Sequence, residues 1–498
     1  MMVTKRSPEK QIPVTDVHLA KKAKLEEDES NSTVNGDQTI PEKIKSKKKN
    51  ESILINPELE VRIEPDKTRR SQLNTTSHLI RTFKTEHFTL NSPDVMSYTH
   101  CGQVPHVTAD LCSSTVNGDV SIVPLHSILT CIKVLEKLNK SLAEFVKTNN
   151  KIILNPFNSS EPCDLTAFND QLGMSVWGKG GRKKITSKEY LDIVKISKPE
   201  LFVSLSDVVP SSVNKKRANK SCYRTLQWVT EAIAFLEGNS GVTSQLLAPI
   251  PGSGDRQLMM KSANLLASRK VFGYVIERAT LPTENWEDLV RDVVSILPDS
   301  RPVFMLGVLN ELEIVKAYNC GCHFVDSSFV LHFSNRGQAM VLDSANPTPL
   351  PEPSRNPDHA STEEANKDFG PSLAENIPSE ISGETEDKKK KKRETGKVLI
   401  FKPEHYIPSK SLTLDLVSAV YTRQFLKIAE SCECFTCERH TRGYINHLII
   451  TRELLAPTLL MLHNMYHIRN LVNTVKAKVE GGSLERYEAT LEGVFRIS

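Results

Sequence analysis

The sequence predicts an α/β fold built around a (β/α)8 barrel of the TIM type, with an open doubly wound sheet as the alternative. From about residue 187 to 330, short apolar runs alternate with single amphipathic helical stretches. That alternation is typical of parallel strands joined by right-handed helical crossovers. No G-x-G-x-x-G turn follows any of these strands, which argues against a dinucleotide-binding sheet. Because further units are expected upstream, the closed barrel is favoured.

Apolar runs and helical spacing define the elements of this stretch. The predicted strands cover 201–206, 245–250, 271–276, 302–308 and 322–325. The predicted helices cover 220–237, 255–268, 284–297 and 310–320. Gly238 and Gly321 close two of these helices, as glycines at C-terminal caps do.

Two acids directly follow predicted strands. Asp207 comes after the strand at 201–206, and Asp326 comes after the strand at 322–325. In a parallel barrel the carboxyl ends of the strands form the face that carries catalytic residues. A single aspartate in such a loop can equally cap a helix. Two aspartates at equivalent positions raise the odds of a functional role.

The composition excludes several classes of protein. Ten cysteines in 498 residues make no disulfide framework, and three of them crowd into six positions, which suits a metal site in a reducing compartment. The net charge of +4 confines any nucleic-acid contact to local basic clusters, of which 179–184 and 215–220 are candidates. No apolar stretch approaches the ~20 residues of a transmembrane segment, and no leader pattern is present. We therefore expect a soluble, cytoplasmic protein.

Four segments are expected along the chain. Residues 1–75 are polar and charged and are predicted to form a disordered basic tail, and residues 76–344 form the barrel body. Residues 345–396 are predicted to be a disordered, low-complexity insertion, and residues 397–498 hold a helical part that completes the barrel. Basic pairs in the tail resemble a two-part nuclear import signal, but a solvated tail is the favoured interpretation.

A candidate metal site lies in the last segment, between predicted helices at 414–430 and 457–478. Cys432, Cys434 and Cys437 have C-x-C-x2-C spacing, and a short knuckle of this kind lets three sulfurs reach one Zn²⁺ at ~2.3 Å. His463 is a candidate fourth ligand, 26 positions after Cys437. The alternatives are His440, His447 and His467. Four protein ligands leave no open position, so the zinc would be structural.

The motifs around these ligands carry a family resemblance. The stretch T-R-G-Y-I-N-H-L follows the cysteines, and L-L-M-L-H-N surrounds His463. Together with the C-x-C-x2-C spacing, they resemble the tRNA-guanine transglycosylases, zinc-containing TIM barrels that exchange a guanine of the tRNA anticodon for queuine or its precursor. The resemblance covers about 80–478 apart from the insertion. It implies His463 as the fourth ligand and one structural Zn²⁺ per subunit.

The family's catalytic motifs are eroded in this chain. Asp170, Asp207 and Asp326 match family carboxylates, and the resemblance implies that Asp326 stands at the nucleophile position. The surrounding residues differ: D-Q-L-G-M-S at 170–175, D-V-V at 207–209, A-P-I-P-G-S at 248–253, E-R-A at 277–279 and D-S-S-F-V-L-H at 326–332. Glycines that let backbone N–H groups reach the base are replaced by Glu277 and Arg278, whose side chains would fill that space. We therefore expect the three carboxylates to be vestigial.

The resemblance is strongest to the non-catalytic branch of the family, through V-P-H-V-T near 105 and S-V-W near 175. It implies a heterodimer with the catalytic subunit of queuine tRNA-ribosyltransferase, with tRNA as the substrate and the anticodon wobble guanine as the target. A homodimer and peripheral association with the mitochondrial outer membrane are further implications. The alternatives are an active transglycosylase that uses Asp326 as nucleophile, and a zinc-bearing RNA-binding scaffold.

The zinc subdomain is the hypothetical interface with the partner. Leu459, Leu462 and Tyr466 are expected on one face of the 457–478 helix, beside His463. A helix fixed by a metal ion would present such a face rigidly.

Overall fold

The computed structural model describes residues 63–111, 118–160, 169–178, 180–345, 347 and 412–497. Residues 1–62, which hold most of the predicted tail and its import-like basic pairs, lie outside this part of the chain. Nearly all of the predicted insertion also lies outside it, as does Lys179 of the first basic cluster.

The strands form one closed barrel and three two-stranded sheets. In chain order they are β1 Arg81–Lys84, β2 Thr89–Ser92, β3 Asp94–Tyr98, β4 Val120–Pro124, β5 Lys151–Asn155, β6 Gly173–Gly178, β7 Gly181–Thr186, β8 Leu201–Val203, β9 Gln245–Pro249, β10 Gly273–Glu277, β11 Val303–Leu306, β12 Phe324–Asp326, β13 Gln338–Met340 and β14 Thr413–Asp415.

Eight strands close into a parallel barrel in the order β3, β4, β5, β8, β9, β10, β11 and β12. β12 pairs with β3, where Val325 lies opposite Val95, and this pairing closes the ring. The strands are nearly continuous apolar runs because both of their faces are covered; all five residues of β4, for example, are buried. The prediction of a (β/α)8 TIM barrel is therefore confirmed, and the open sheet is wrong.

Helices surround the barrel and extend past it. In chain order they are α1 Lys67–Arg70, α2 Thr76–Leu79, α3 Leu125–Ile128, α4 Ile132–Leu138, α5 Leu142–Val146, α6 Ser187–Ser197, α7 Lys215–Gly238, α8 Arg256–Ala267, α9 Glu287–Ile296, α10 Glu311–Asn319, α11 Ser328–Asn335, α12 Phe435–Arg439, α13 Arg442–Ile450, α14 Leu455–Glu480 and α15 Leu484–Ile497. Among the described helices, none combines the length and the apolar character needed to cross a bilayer.

The predicted elements from 201 to 325 correspond to β8–β12 and α7–α10. α7 begins five residues earlier than predicted, at Lys215, because the Asn214 side chain caps it by accepting a hydrogen bond from the Arg217 N–H at 2.9 Å. The second basic cluster therefore lies in the first turns of a helix rather than in a loop.

The predicted helix at 414–430 is wrong. Its first residues form β14, which pairs with β13, and Ala419–Tyr421 form a short 3₁₀ turn. The buried Asn446 side chain donates to the carbonyls of Leu416 and Ser418 at 2.8 and 3.1 Å, which satisfies this irregular backbone. Helical spacing in the sequence gave no sign of these long-range partners.

Ordered packing begins before residue 76, within the predicted tail. Arg70 of α1 forms ion pairs with Asp288 and Asp292 of α9 at 2.6 and 2.5 Å. Leu73 is fully buried in the barrel core. Residues 63–75 are therefore part of the folded body.

The C-terminal part adds helices to the barrel, and its described residues contribute none of the eight barrel strands. α14 packs against α11 and β3, and Arg469 of α14 forms an ion pair with Asp94 of β3 at 2.9 Å. β13 and β14, which flank the insertion, pair with each other. The two points of the chain on either side of the insertion therefore lie next to each other.

Candidate metal centre and barrel mouth

A turn, the short helix α12 and the long helix α14 bring the predicted metal ligands together. Cys434 is the N-cap residue of α12, and its sulfur accepts the Cys437 N–H at 3.3 Å. Cys432 precedes that turn, and His463 enters from α14. All four side chains are buried, and their ligand atoms lie within 4.8 Å of one another. No other set of three or more potential ligand side chains in the described chain is this close.

The imidazole of His463 is oriented toward the sulfurs. Its Nδ1 lies 3.8, 3.3 and 3.4 Å from the sulfurs of Cys432, Cys434 and Cys437. Its Nε2 lies 2.7 Å from the carbonyl oxygen of Met340 in β13, and an Nε2–H donated there leaves Nδ1 available as a ligand. Met340 could not be identified from the sequence, because the group that accepts the hydrogen bond is its backbone carbonyl and no motif marks it.

The electrostatics of this cluster suit a cation. Interaction with Cys432 and Cys434 lowers the pKa of Cys437 far below that of an ordinary thiol, while interaction with Cys434 and Cys437 raises the pKa of Cys432. Burial would lower the pKa of His463, but contacts with the thiols outweigh it and raise the pKa to about 9. Three thiolates in one buried site repel each other, and a bound dication would remove that repulsion.

The rival histidines lie elsewhere. His467 Nδ1 is 3.3 Å from the carbonyl oxygen of Leu342, and burial lowers its pKa to about 3. His440 stacks on the Tyr444 ring at 5.4 Å, and His447 is exposed. Within the part of the chain that the structure describes, the buried group of three cysteines and His463 is the one that could hold a metal ion.

At the barrel mouth, Asp326 is fully buried at the end of β12. Its Oδ1 accepts N–H groups of Gly307 and Val308 at 2.7 and 3.4 Å. No hydrogen bond of normal geometry reaches its Oδ2 or Oε2 of the buried Glu277, although Ser328 lies near enough to Asp326 to oppose the effect of burial on its pKa. Burial raises the pKa of Asp326 to about 6, and burial together with the charge of Asp326 raises the pKa of Glu277 well above its usual value.

Arg278 fills space beside this carboxyl pair. Its guanidinium forms a buried ion pair with Glu313 at 2.7 Å and lies 5.2 Å from the centre of the Trp286 ring. It also donates to the carbonyl of Pro282 at 3.1 Å. Glu277 and Arg278, which the sequence analysis expected to fill the space where a base would bind, are both buried.

Asp207 is fully buried in a network of cations. Arg217 binds it in a bidentate manner at 2.6 and 2.8 Å, and Arg224 adds a contact at 2.9 Å. The Asn169 amide donates to the same carboxylate at 3.0 Å. The sequence analysis missed both arginines as partners, although their seven-residue spacing on one helix face after Asp207 was a usable signal.

Asp170 lies on the surface, next to the β6–β7 hairpin. Its side chain forms an ion pair with Lys184 of β7 and accepts the Leu172 N–H at 2.9 Å. The hydrogen bond from Lys184 lowers the pKa of Asp170. Among the described contacts, none joins the Asp170 and Asp207 groups to Asp326, so the structure does not gather the three candidates into one site.

The apolar face proposed as the interface faces inward. Leu459 and Leu462 of α14 are both 1% exposed and pack inside this chain, so they cannot contact a partner. Instead, seven of the thirteen large apolar side chains exposed in the described chain lie between residues 420 and 455. The most exposed of these are Phe425 and Leu454, at 83% and 86%.

The comparisons with known proteins agree with this architecture. The family model described as queuine tRNA-ribosyltransferase matches residues 75–493. A relative from Xenopus tropicalis is 26% identical over 404 residues, which cover 80% of this chain and 91% of the relative. Relatives from Danio rerio and Homo sapiens are 25% and 24% identical; the matches cover 82% and 80% of this chain, and 93% and 92% of the relatives.

All three relatives carry the name queuine tRNA-ribosyltransferase accessory subunit 2. The family model spans both the eight-stranded barrel and the four candidate metal ligands. The chain therefore belongs to the queuine tRNA-ribosyltransferase family.

Proposed function

We propose that this chain is the non-catalytic subunit of a heterodimeric queuine tRNA-ribosyltransferase, and that it supports the exchange of guanine for queuine at the tRNA wobble position. The observation that carries the proposal is the complete burial of Asp326, the residue at the family's nucleophile position. A nucleophile in this reaction must reach the ribose C1′ as the base departs. The names of the relatives support the same role.

The neighbours of Asp326 also oppose catalysis. A departing guanine needs hydrogen-bond donors that reach it from the pocket wall. Here Glu277 faces Asp326, and the Arg278 guanidinium is committed to Glu313 and two backbone carbonyls. The retained Asp326 favours one alternative, an active transglycosylase, since a carboxylate still stands at the end of β12.

Guanine exchange into tRNA tests the proposal. We expect no turnover by this chain alone, and turnover by the mixture with a catalytic subunit well above that of the catalytic subunit by itself. Exchange by the purified chain alone that is lost in Asp326→Asn would establish the active-enzyme alternative instead.

For the metal centre we propose one structural Zn²⁺ per chain. Three thiolates and one imidazole around a small buried site are the donor set and number that tetrahedral zinc prefers. Cys432, Cys434, Cys437 and His463 would hold it, and no open position remains for a water or a substrate. The ion would fasten α12 to α14 and to the β13 carbonyl behind His463.

For the partner we propose docking on exposed apolar side chains of the metal-binding part, here called the subdomain patch: Phe425, Leu426, Tyr444, Ile450 and Leu454. Backbone hydrogen bonds of 2.8 Å from Arg442 to Leu426 and from Gly443 to Gln424 place the 424–426 turn beside the start of α13. Patches of this kind mark protein interfaces. The catalytic subunit is the occupant we assign, because the relatives are named as accessory subunits.

For tRNA we propose contact through lysines at the carboxyl-end face of the barrel. Arg182, Lys183 and Lys184 are exposed on β7, and Lys216 and Lys220 are exposed on α7. Arg217 and Lys184 are excluded from this role, because they form ion pairs with Asp207 and Asp170. Exposed lysines attract the phosphate backbone without reading sequence.

A further inference from the structure

Two thiols outside the metal centre lie side by side at the barrel's carboxyl-end face. Cys101 follows β3, and Cys131 lies between α3 and α4. The Cys101 N–H donates to the Ser127 hydroxyl at 3.0 Å, and the Cys131 thiol donates to the Ile128 carbonyl at 3.1 Å, so both are anchored to α3. The two thiols also interact directly with each other.

This pair differs from the other described cysteines in exposure. Of the eight cysteines that the structure describes, six are buried, and Cys101 and Cys131 are the two that solvent reaches. Solvent access and a neighbouring thiol are what a redox-active dithiol requires. Cys222, by comparison, is buried against Ser262 and has no accessible thiol nearby.

We propose that Cys101 and Cys131 form a reversible disulfide when the protein meets a low-molecular-weight disulfide such as oxidised glutathione. The Cys101 thiolate attacks one sulfur of the oxidant, and one small thiol leaves. Cys131, as a thiolate, then attacks the Cys101 sulfur and releases the second small thiol. Overall the protein loses two protons and two electrons, and one small disulfide is reduced to two thiols.

The order of attack follows from the surroundings. The Cys131 thiol donates its proton to the Ile128 carbonyl at 3.1 Å, which disfavours its ionisation, so Cys101 attacks first. Interaction with the Cys101 thiol and burial also raise the pKa of Cys131, and the first of these effects ends when Cys101 enters the mixed disulfide. The bond would tie the loop after β3 to the segment after α3. α3 packs against β6 of the basic hairpin, so the bond would lie beside the surface proposed to meet tRNA.

The test uses the full-length, metal-loaded chain with oxidised glutathione as the probe. Cleavage by trypsin together with an Asp-directed protease separates Cys101 in 94–109, Cys112 in 110–118 and Cys131 in 119–133. We expect one linked species that joins 94–109 to 119–133 and disappears on reduction. Metal content, measured in parallel, should stay unchanged, which separates this reaction from oxidation of the metal-binding thiols.

Single substitutions test whether the disulfide forms between Cys101 and Cys131. Cys101→Ser should leave Cys131 largely unreacted, Cys131→Ser should trap glutathione on Cys101, and Cys222→Ser should behave as the wild type. Oxidation should also raise the melting temperature by several degrees, because the bond shortens a loop of the unfolded chain. Recovery of the two peptides unlinked, or of Cys101 joined to Cys112, would overturn the proposal.

Discussion

At the scale of single residues, identical carboxylates have opposite roles because of their neighbours. Asp207 is buried against two arginines and an amide, so its charge is compensated. Asp326 is equally buried, but it faces Glu277, and one oxygen of each carboxyl accepts no hydrogen bond of normal geometry. Among the described contacts, no cation approaches Asp326. Ionisation of Asp326 therefore works against folding.

Replacing Asp326 with Asn should stabilise the protein at neutral pH. The unfolded Asp ionises at its ordinary pKa of 3.8, whereas the folded residue keeps its proton until about pH 6. Ionisation thus favours the unfolded state from about pH 4 upward. The resulting loss in the free energy of unfolding is complete above about pH 6 and reaches up to ~3 kcal/mol. We expect the free energy of unfolding to rise by up to that amount at pH 7.5, and by about half as much at pH 5. Denaturant unfolding of the wild type and the variant at both pH values measures this difference in free energy.

The control is the same chemical change at Asp207. Asp207→Asn would leave Arg217 and Arg224 facing a neutral amide, so it should destabilise the fold by ~3–5 kcal/mol.

Exchange by the heterodimer should be unaffected by Asp326→Asn. An Asp326→Asn chain that assembles normally but loses exchange would contradict the non-catalytic role.

At the scale of elements, the proposed zinc ion holds α12 and α14 together. α12 has five residues and buries only Thr436 and Cys437, too little apolar surface to fix its position alone. The metal would supply that missing stabilisation.

Cys434→Ser should therefore release the metal and lower the stability of the chain by several kcal/mol. The matched control is Cys222→Ser, a buried cysteine outside the cluster, which should keep its metal. Metal analysis after gel filtration gives the stoichiometry, and thermal unfolding gives the stability. A Cys434→Ser chain with full zinc content would rule out the four-ligand assignment.

Lysines on the β6–β7 hairpin and at the start of α7 are expected to contact the phosphates of tRNA. Lys183→Glu or Lys216→Glu should weaken tRNA binding by the heterodimer and reduce the slope of its salt dependence by about one for each lost phosphate contact. Lys137→Glu is the control, an exposed lysine of α4 outside the two clusters. Equal slopes for all three variants would show that these lysines are only solvated.

At the scale of the whole molecule, one surface is proposed to contact tRNA and another to contact the catalytic subunit. The carboxyl-end face carries the basic hairpin, and the metal-binding part carries the subdomain patch. Such a barrel can contribute contact area to a tRNA complex without a working pocket of its own.

Phe425→Asp and Leu454→Asp should prevent assembly with the catalytic subunit. A charge at the centre of an apolar interface typically costs 2 kcal/mol or more, which is ~30-fold or more in Kd. Leu138→Asp is the matched control, since Leu138 is 55% exposed on α4, outside the patch. Analytical ultracentrifugation of the mixture measures assembly. Normal assembly of both patch variants would place the interface on another surface.

Features of this protein that depend on local pattern could be predicted before its structure was known. Alternating apolar runs and helices predicted the barrel, because each βα unit is specified within some 30–40 residues. The C-x-C-x2-C spacing predicted the sulfur ligands, because three of the four lie in one turn. The choice of His463 needed the family resemblance, since four histidines were in range.

The surroundings of these groups depend on contacts between distant parts of the chain, and these could not be predicted from local pattern. Arg217 belonged to a basic cluster in the sequence, yet in the fold it neutralises Asp207. Residues 414–430 had helical spacing, yet β13 and Asn446 hold their first part as strand and turn. Leu459 and Leu462 were expected on a docking face, yet the core covers them. In each case the environment of the residue is set by a partner that is distant in the sequence, or by several elements that pack against it together. Local spacing of residues does not indicate either of these.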